Sequence, residues 1–295
     1  QTVSWQNDIA SPLGTVLAAV DQLRQGVSSN TTAFTVDHRT VDGVQLGLNG
    51  HAGPHNWQAN VRSDQNSQFG HQVTGALSYG FDLSAQWRLG ASGGTSFVMP
   101  SFDDLYYPGY SNPFLRPQHG RSGELNLRWR SEGQQLRLAA YENRFRDLIA
   151  LDVNFLPVNV AQSRIRGASL EYGASLGQLT LGSTLDVMDP VDLSDGTLLP
   201  HRSRETLSVQ ADWKFSADWS AGGVVRSAGQ RYDDTANRQA LGGYGLLSLH
   251  GNWRFARDWS LGLRGDNLTG HAVQPAYGYD APPRQWFATL RYGGL

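Results

Sequence analysis

Residues 206–215 read TLSVQADWKF. Leu207, Val209, Ala211, Trp213 and Phe215 alternate with Thr206, Ser208, Gln210, Asp212 and Lys214. A strict two-residue period sends one set to each face of a β-strand, so this segment has an apolar face and a polar one. The pattern returns at Leu247, Leu249, Gly251, Trp253 and Phe255 against Ser248, His250, Asn252 and Arg254. It returns again at Trp286, Ala288, Leu290 and Tyr292 against Gln285, Thr289 and Arg291. Similar runs occupy roughly 2–9, 15–24, 41–52, 56–64, 71–81, 87–97, 122–130, 135–149, 160–175, 179–188, 219–229 and 259–267. The 3.6-residue period of a helix occurs almost nowhere. The chain is therefore expected to be all-β, with about fifteen strands of ~10 residues, the length a tilted strand needs to cross a bilayer.

The connections sort into two alternating kinds. Short ones fall near 11–14, 52–55, 82–85, 131–134, 176–178, 216–219 and 256–259. Long ones fall near 25–40, 64–70, 98–120, 150–159, 188–203, 230–243 and 268–283. A soluble sandwich has no reason to place every long loop at one end, whereas a bacterial outer-membrane barrel does so. Trp57, Trp87, Trp129, Trp213, Trp219, Trp253 and Trp259 lie within a few residues of a short turn, with Phe81, Phe215 and Phe255 beside them. Indole favours the headgroup level, half buried with its N–H still hydrogen-bonded, so this array reads as an aromatic girdle. The polar face would then line a wet lumen, which accounts for a mean hydropathy of -0.41 beside 9 Trp and 11 Tyr.

Composition narrows the function. The 295 residues carry a formal charge of -2 with the charges scattered, which gives no reason to expect nucleic acid. Without cysteine there is no disulfide framework, thiol nucleophile or zinc–thiolate site. No apolar run approaches the ~18 residues of a membrane helix, and QTVSWQND at the start does not read as a signal peptide. No Ser/His/Asp grouping, phosphate-cradling glycine loop or paired carboxylates stand in a context that supports catalysis. His51 and His55 flank Gly53-Pro54, which forbids the helix an i, i+4 metal pair requires, so they read as turn residues.

Several segments resemble the TonB-dependent outer-membrane receptors. Gly94-Thr-Ser-Phe97 and Pro100-Ser-Phe-Asp-Asp-Leu-Tyr106 are similar to the family's strand that runs into a proline before Leu-Tyr. Asn112-Pro-Phe-Leu-Arg-Pro117 with Glu124 is similar to the return to the membrane. Asp147-Leu-Ile149, Asn159, Arg164-Ile-Arg-Gly167, Asp266-Asn-Leu268 and Tyr277-Gly-Tyr279 before Pro283-Arg284 follow in the family's order. Within the family, Trp5-Gln-Asn7, residues 62–70 and Gln230-Arg-Tyr-Asp233 look most like the cobalamin receptors. The resemblance spans essentially the whole chain.

It implies an antiparallel transmembrane β-barrel in the bacterial outer membrane, of which residues 1–295 are the C-terminal part. About fifteen of the usual twenty-two strands are present, and the plug domain and Ton box are absent. It also implies import of a scarce small-molecule ligand, driven by TonB, the partner that reaches the Ton box. A siderophore or haem receptor and, further off, a passive porin are the alternative readings. The final Leu295 departs from the family's aromatic end and puts the native terminus in doubt.

The candidate ligand-binding residues lie in the long loops. Tyr106, Tyr107 and Tyr110 offer stacking area and hydroxyls, or else pack their loop, and Asp103 and Asp104 read as loop caps. Tyr277 and Tyr279 either approach ligand or form an outer rim. Arg202 and Arg204 could donate to ligand oxygens, to lipopolysaccharide phosphates or to plug carboxylates, and Arg231 with Asp233 is weighed as a ligand contact in the same way. No resident cofactor or metal is expected; a calcium site in the loops would need more oxygens than the aspartate pair supplies.

Overall fold

The computed structural model describes residues 1–30 and 33–293. Its first strands are β1 (Thr2–Ser11), β2 (Gly14–Gly26), β3 (His38–Ala52), β4 (His55–Asn66), β5 (Gly70–Asp82) and β6 (Trp87–Val98). After a short helix, α1 (Phe102–Tyr106), come β7 (Gln118–Ser131), β8 (Gln134–Leu151), β9 (Pro157–Leu176), β10 (Leu179–Asp192), β11 (Glu205–Lys214) and β12 (Trp219–Ala228). A small ribbon, β13 (Arg231–Tyr232) with β14 (Ala240–Leu241), precedes β15 (Tyr244–Ala256), β16 (Trp259–Asp266) and β17 (Gln285–Tyr292). Every strand but β13 and β14 belongs to one 15-stranded antiparallel sheet in chain order. All fifteen expected strand segments coincide with strands of that sheet. Within it β1 pairs only with β2 and β17 only with β16, so the sheet is open at two edges. Leu295, and with it the question of the terminus, lies outside the described residues.

The connections alternate as the sequence predicts. One end of the sheet carries only tight turns, at 12–13, 53–54, 83–86, 132–133, 177–178, 215–218 and 257–258. At the other end, 99–117, 193–204, 229–243 and 267–284 are long. Two expected long loops are not loops. Residues 67–69 and 152–156 are brief turns, because β4, β8 and β9 continue pairing into the segments assigned to them. Strands β8 and β9 have 18 and 20 residues, well beyond the ~10 that cross a bilayer, so this part of the long-loop end is built of strand.

The two faces differ sharply in chemistry. Leu77, Leu125, Leu263 and Leu290, all more than half exposed, share one face, and no protein atoms cover it. An apolar face of this extent is expected only where the surrounding solvent is itself apolar. At the short-turn end the same face carries the tryptophans in contact. Trp219 stacks on Trp253 at 5.1 Å and 14°, and the row continues through Phe255 and Trp259 to Tyr292. Trp87 meets Trp129 at 6.3 Å across β6 and β7. Among the described residues no helix is long and apolar enough to cross a membrane, so strands are the crossing elements.

The other face is held by ion pairs that reach across intervening strands. Arg62 on β4 bonds Asp21 on β2 at 2.7 Å and Asp64 at 2.7 Å. It passes over Gly43 of β3, where a Cβ would stand 2.0 Å from the guanidinium. His250 on β15 reaches Asp212 on β11 at 2.9 Å over Gly222, where a Cβ would stand 2.4 Å from the carboxylate. Glycine is thus required at both crossings for close approach. Arg137 likewise gathers Glu124 and Glu171, at 2.6 and 2.8 Å. Gly43→Leu in the complete barrel is expected to separate Arg62 from Asp21 and lower unfolding stability by about 1.5–3 kcal/mol, the value of a charged hydrogen-bonded pair. Urea unfolding in lipid vesicles checks this; an unchanged midpoint would show that Arg62 contributes nothing through Asp21.

Candidate ligand-binding site

Two separate assemblies stand at the long-loop end. The first is the loop at 99–117. Its helix α1 starts at Ser101, whose hydroxyl accepts the Asp104 N–H at 3.0 Å while the Asp104 carboxylate accepts the Ser101 N–H at 2.9 Å. This capping box satisfies two end groups of a helix too short to form alone. Leu105 and Leu115 are buried and pin the loop. Arg39 at the start of β3 donates to the Pro100 carbonyl at 2.8 Å and lies over the Phe102 ring at 4.7 Å. On the far side, Asn112 donates to the Pro157 carbonyl at 3.1 Å and Arg116 pairs with Asp147 at 2.6 Å. The loop is therefore docked at both ends rather than free. Tyr106 turns toward β4, its hydroxyl accepting from Gln68. Tyr107 and Tyr110 stay exposed at 44% and 62%, which leaves both rings accessible.

The second assembly ties 193–204, 229–243 and 267–284 together. Asn237 donates to and accepts from the Leu198 backbone at 2.8 and 2.7 Å. Asp233 is buried, accepts the Tyr277 N–H at 3.1 Å, and stands 3.0 Å from His201 Nε2. Asp234, also buried, accepts the backbone N–H groups of Arg238 and Gln239. Arg231 donates to the Gln274 carbonyl at 2.7 Å and lies 5.5 Å over the Tyr244 ring. At the tip of 193–204, Thr197 donates its N–H and its hydroxyl to Asp195, which holds that carboxyl below its ordinary range. A lowered carboxyl supports its loop above the ordinary carboxylate pKa, and that support fades as pH falls through the folded value.

The candidate residues are thus divided. Arg202 and Arg231 line one pocket of about 380 Å³ with His201, Thr206 and Tyr244. Tyr277 touches that assembly through its backbone, and its ring and that of Tyr279 are exposed at 50% and 72%. Arg204 points elsewhere: its guanidinium lies 3.8 Å from Asp189 on the apolar face of the wall. Tyr106, Tyr107 and Tyr110 belong to the other assembly. Sequence reading passed over Asp234 and Asn237 and did not join His201 to Asp233; the adjacent Asp233-Asp234 in the 229–243 loop was the available signal. Among the described residues no group of three or more His, Asp or Glu side chains is placed to hold a metal.

An open antiparallel wall with an apolar outer face, an aromatic girdle and long loops at one end agrees with the matches to known proteins. The family model described as "TonB dependent receptor-like, beta-barrel" matches residues 2–268. The chain belongs to that family. TonB-dependent receptor barrels lie in the bacterial outer membrane and are transport receptors, not enzymes. The vitamin B12 transporter BtuB of Vibrio vulnificus is 30% identical over 99% of the chain and 49% of the relative. BtuB of Photobacterium profundum is 26% identical over 98% and 49%. The chain spans about half the length of the curated relatives it matches. Among solved structures, the siderophore receptor PirA of Acinetobacter baumannii superposes with a TM-score of 0.79 at 13% identity, covering 99% of this chain and 54% of that one. The copper transporter OprC superposes at 0.77 with 16% identity, covering 99% and 56%. At such identities the structural neighbours speak for the TonB-dependent receptor fold alone.

Proposed function

We propose that residues 1–295 are the C-terminal wall and loops of a receptor that binds cobalamin at its extracellular face and imports it through TonB. The observation that carries the ligand is the 30% identity to a vitamin B12 transporter across 99% of the chain, loops included. In this reading the long-loop end faces outward from the cell. Tyr107, Tyr110, Tyr277 and Tyr279 offer aromatic faces to a large amide-bearing ligand, and Arg202 and Arg231 offer guanidinium donors from the pocket between them. Tyr106 orients its loop through Gln68, and Arg204 acts at the outer wall. Plug and Ton box, the parts that answer to TonB, belong to the remainder of the receptor.

Cyanocobalamin titrated calorimetrically into the complete receptor tests the ligand. Saturable one-to-one binding that a ferric catecholate does not displace is expected. Saturable binding of the catecholate with none of cyanocobalamin would replace cobalamin by a siderophore.

A further inference from the structure

The apolar outer face contains a groove of about 1200 Å³ on β5 to β10. Its floor is Ala91, Gly93, Gly123, Ala140 and Ala168, on four adjacent strands, and its flanks are Leu77, Tyr79 and Val187. Small residues there leave the wall thin where its neighbours carry leucine and valine. The groove ends abruptly in charge, at Glu142, Arg166 and Asp189.

The charges form a cluster of one dominant sign. Arg121, Arg144 and Arg164 are direct cross-strand partners on β7, β8 and β9, and Arg146 lies two residues beyond Arg144. Arg166 and Arg204 complete the set beside Asp189, at 3.4 and 3.8 Å. Three carboxylates, Glu142, Asp189 and Glu205, face these six arginines. Arg144 pairs with Glu142 at 2.7 Å and Arg164 with Asp189 at 3.1 Å. Arg121 and Arg146 have no carboxylate partner among the described residues, and Arg164 Nε is buried without an acceptor.

Height fixes what meets this cluster. Trp129, Leu136 and Tyr172 stand side by side at the girdle, and Arg121, Arg144 and Arg164 each lie eight residues further along the same three strands. Eight residues at ~3.4 Å, tilted ~40°, rise about 21 Å, close to the ~25 Å of an outer-membrane apolar band. The arginines are therefore at the far headgroup level, with the groove in hydrocarbon directly beneath. A free anion would use only the arginines, and a protein partner would bring side chains into lipid. We propose that this is a binding site for a phosphorylated lipid of the outer leaflet, an acyl chain in the groove and its headgroup phosphate on Arg121, Arg144 and Arg164. Guanidinium forks suit phosphate oxygens, and the excess positive charge is complementary to them. The proposal rests on the outer-membrane placement of the family and is independent of which ligand the loops take.

The test uses the complete receptor, delipidated in detergent, with bisphosphorylated lipid A as probe and native mass spectrometry as readout. Wild type is expected to retain lipid A at least tenfold better than the triple variant Arg121→Gln/Arg144→Gln/Arg164→Gln. Dephosphorylated lipid A should bind wild type as weakly as bisphosphorylated lipid A binds the variant. To separate lipid binding from assembly, heat-dependent gel mobility is compared first, and Ala140→Phe/Ala168→Phe, which fills the groove and keeps every arginine, is run beside it. Loss of lipid A by this second variant with heat-dependent gel mobility intact supports the site. Equal retention of lipid A by all three proteins, or capture of a second receptor copy in its place, overturns it.

Discussion

Expressed without any further segment, residues 1–295 give no heat-modifiable, membrane-integrated barrel, whereas the complete receptor does. The reason is the two open edges. Strand β1 offers its free backbone groups on one side of the sheet and β17 on the other. In hydrocarbon each unpaired N–H or C=O costs several kcal/mol, and two strands of membrane-crossing length expose enough of them to exceed any stability of the rest. The fifteen strands are joined only by neighbour pairing, so nothing within the sheet compensates for an unpaired edge. Gel mobility with and without heating, together with resistance of vesicle-reconstituted protein to alkaline extraction, is the check. A chain that inserts and shifts on heating would mean that β1 and β17 find partners, by closing on each other or by assembling between copies.

Replacing Asp233 with alanine in the complete receptor should reduce cobalamin affinity by tenfold or more while the barrel itself still folds. Asp233 is 2% exposed and lies where three loops meet. It accepts the Tyr277 N–H and stands against His201, so its loss leaves that N–H unpaired and loosens the last long loop, which Arg231 otherwise holds through the Gln274 carbonyl. A charge-assisted hydrogen bond contributes about 1.5–3 kcal/mol, and ordering the loops anew on binding would draw on the same free energy. Calorimetry on the variant, with heat-modifiability as control, reads the effect. Unchanged affinity would mean that the ligand is held by the 99–117 loop alone. Asp233→Asn, which keeps one acceptor for Tyr277, should fall between wild type and alanine.

The wall was legible because its two faces touch different solvents. Alternation such as Leu207 to Phe215 survives in sequence, since each apolar residue must meet lipid and each polar one must meet water or an ion partner. The tryptophan row was readable for the same reason: distance from the short turns fixes height in the membrane. What was not legible came from contacts between distant segments. Helix α1 is only five residues, too few to show a period, and just its Ser101-x-x-Asp104 box signals it. The turns at 67–69 and 152–156 looked like long loops because polar residues near the tips of β4, β8 and β9 resemble loop composition; pairing above the membrane does not need an apolar face. Arg204 was grouped with Arg202 by sequence proximity, yet the chain between them sends one toward the pocket and the other to Asp189 outside. Nor could sequence join Tyr277 to Asp233, 44 residues away.

Uptake of radiolabelled cobalamin by cells lacking their own transporter, supplied with the complete receptor and measured with and without TonB, tests the central claim most directly. The account predicts accumulation in TonB-bearing cells that vanishes when TonB is deleted or the proton gradient is collapsed, with surface binding retained in both cases. Uptake that persists without TonB, or conductance of small ions through the purified receptor in planar bilayers, would contradict it and indicate a passive pore.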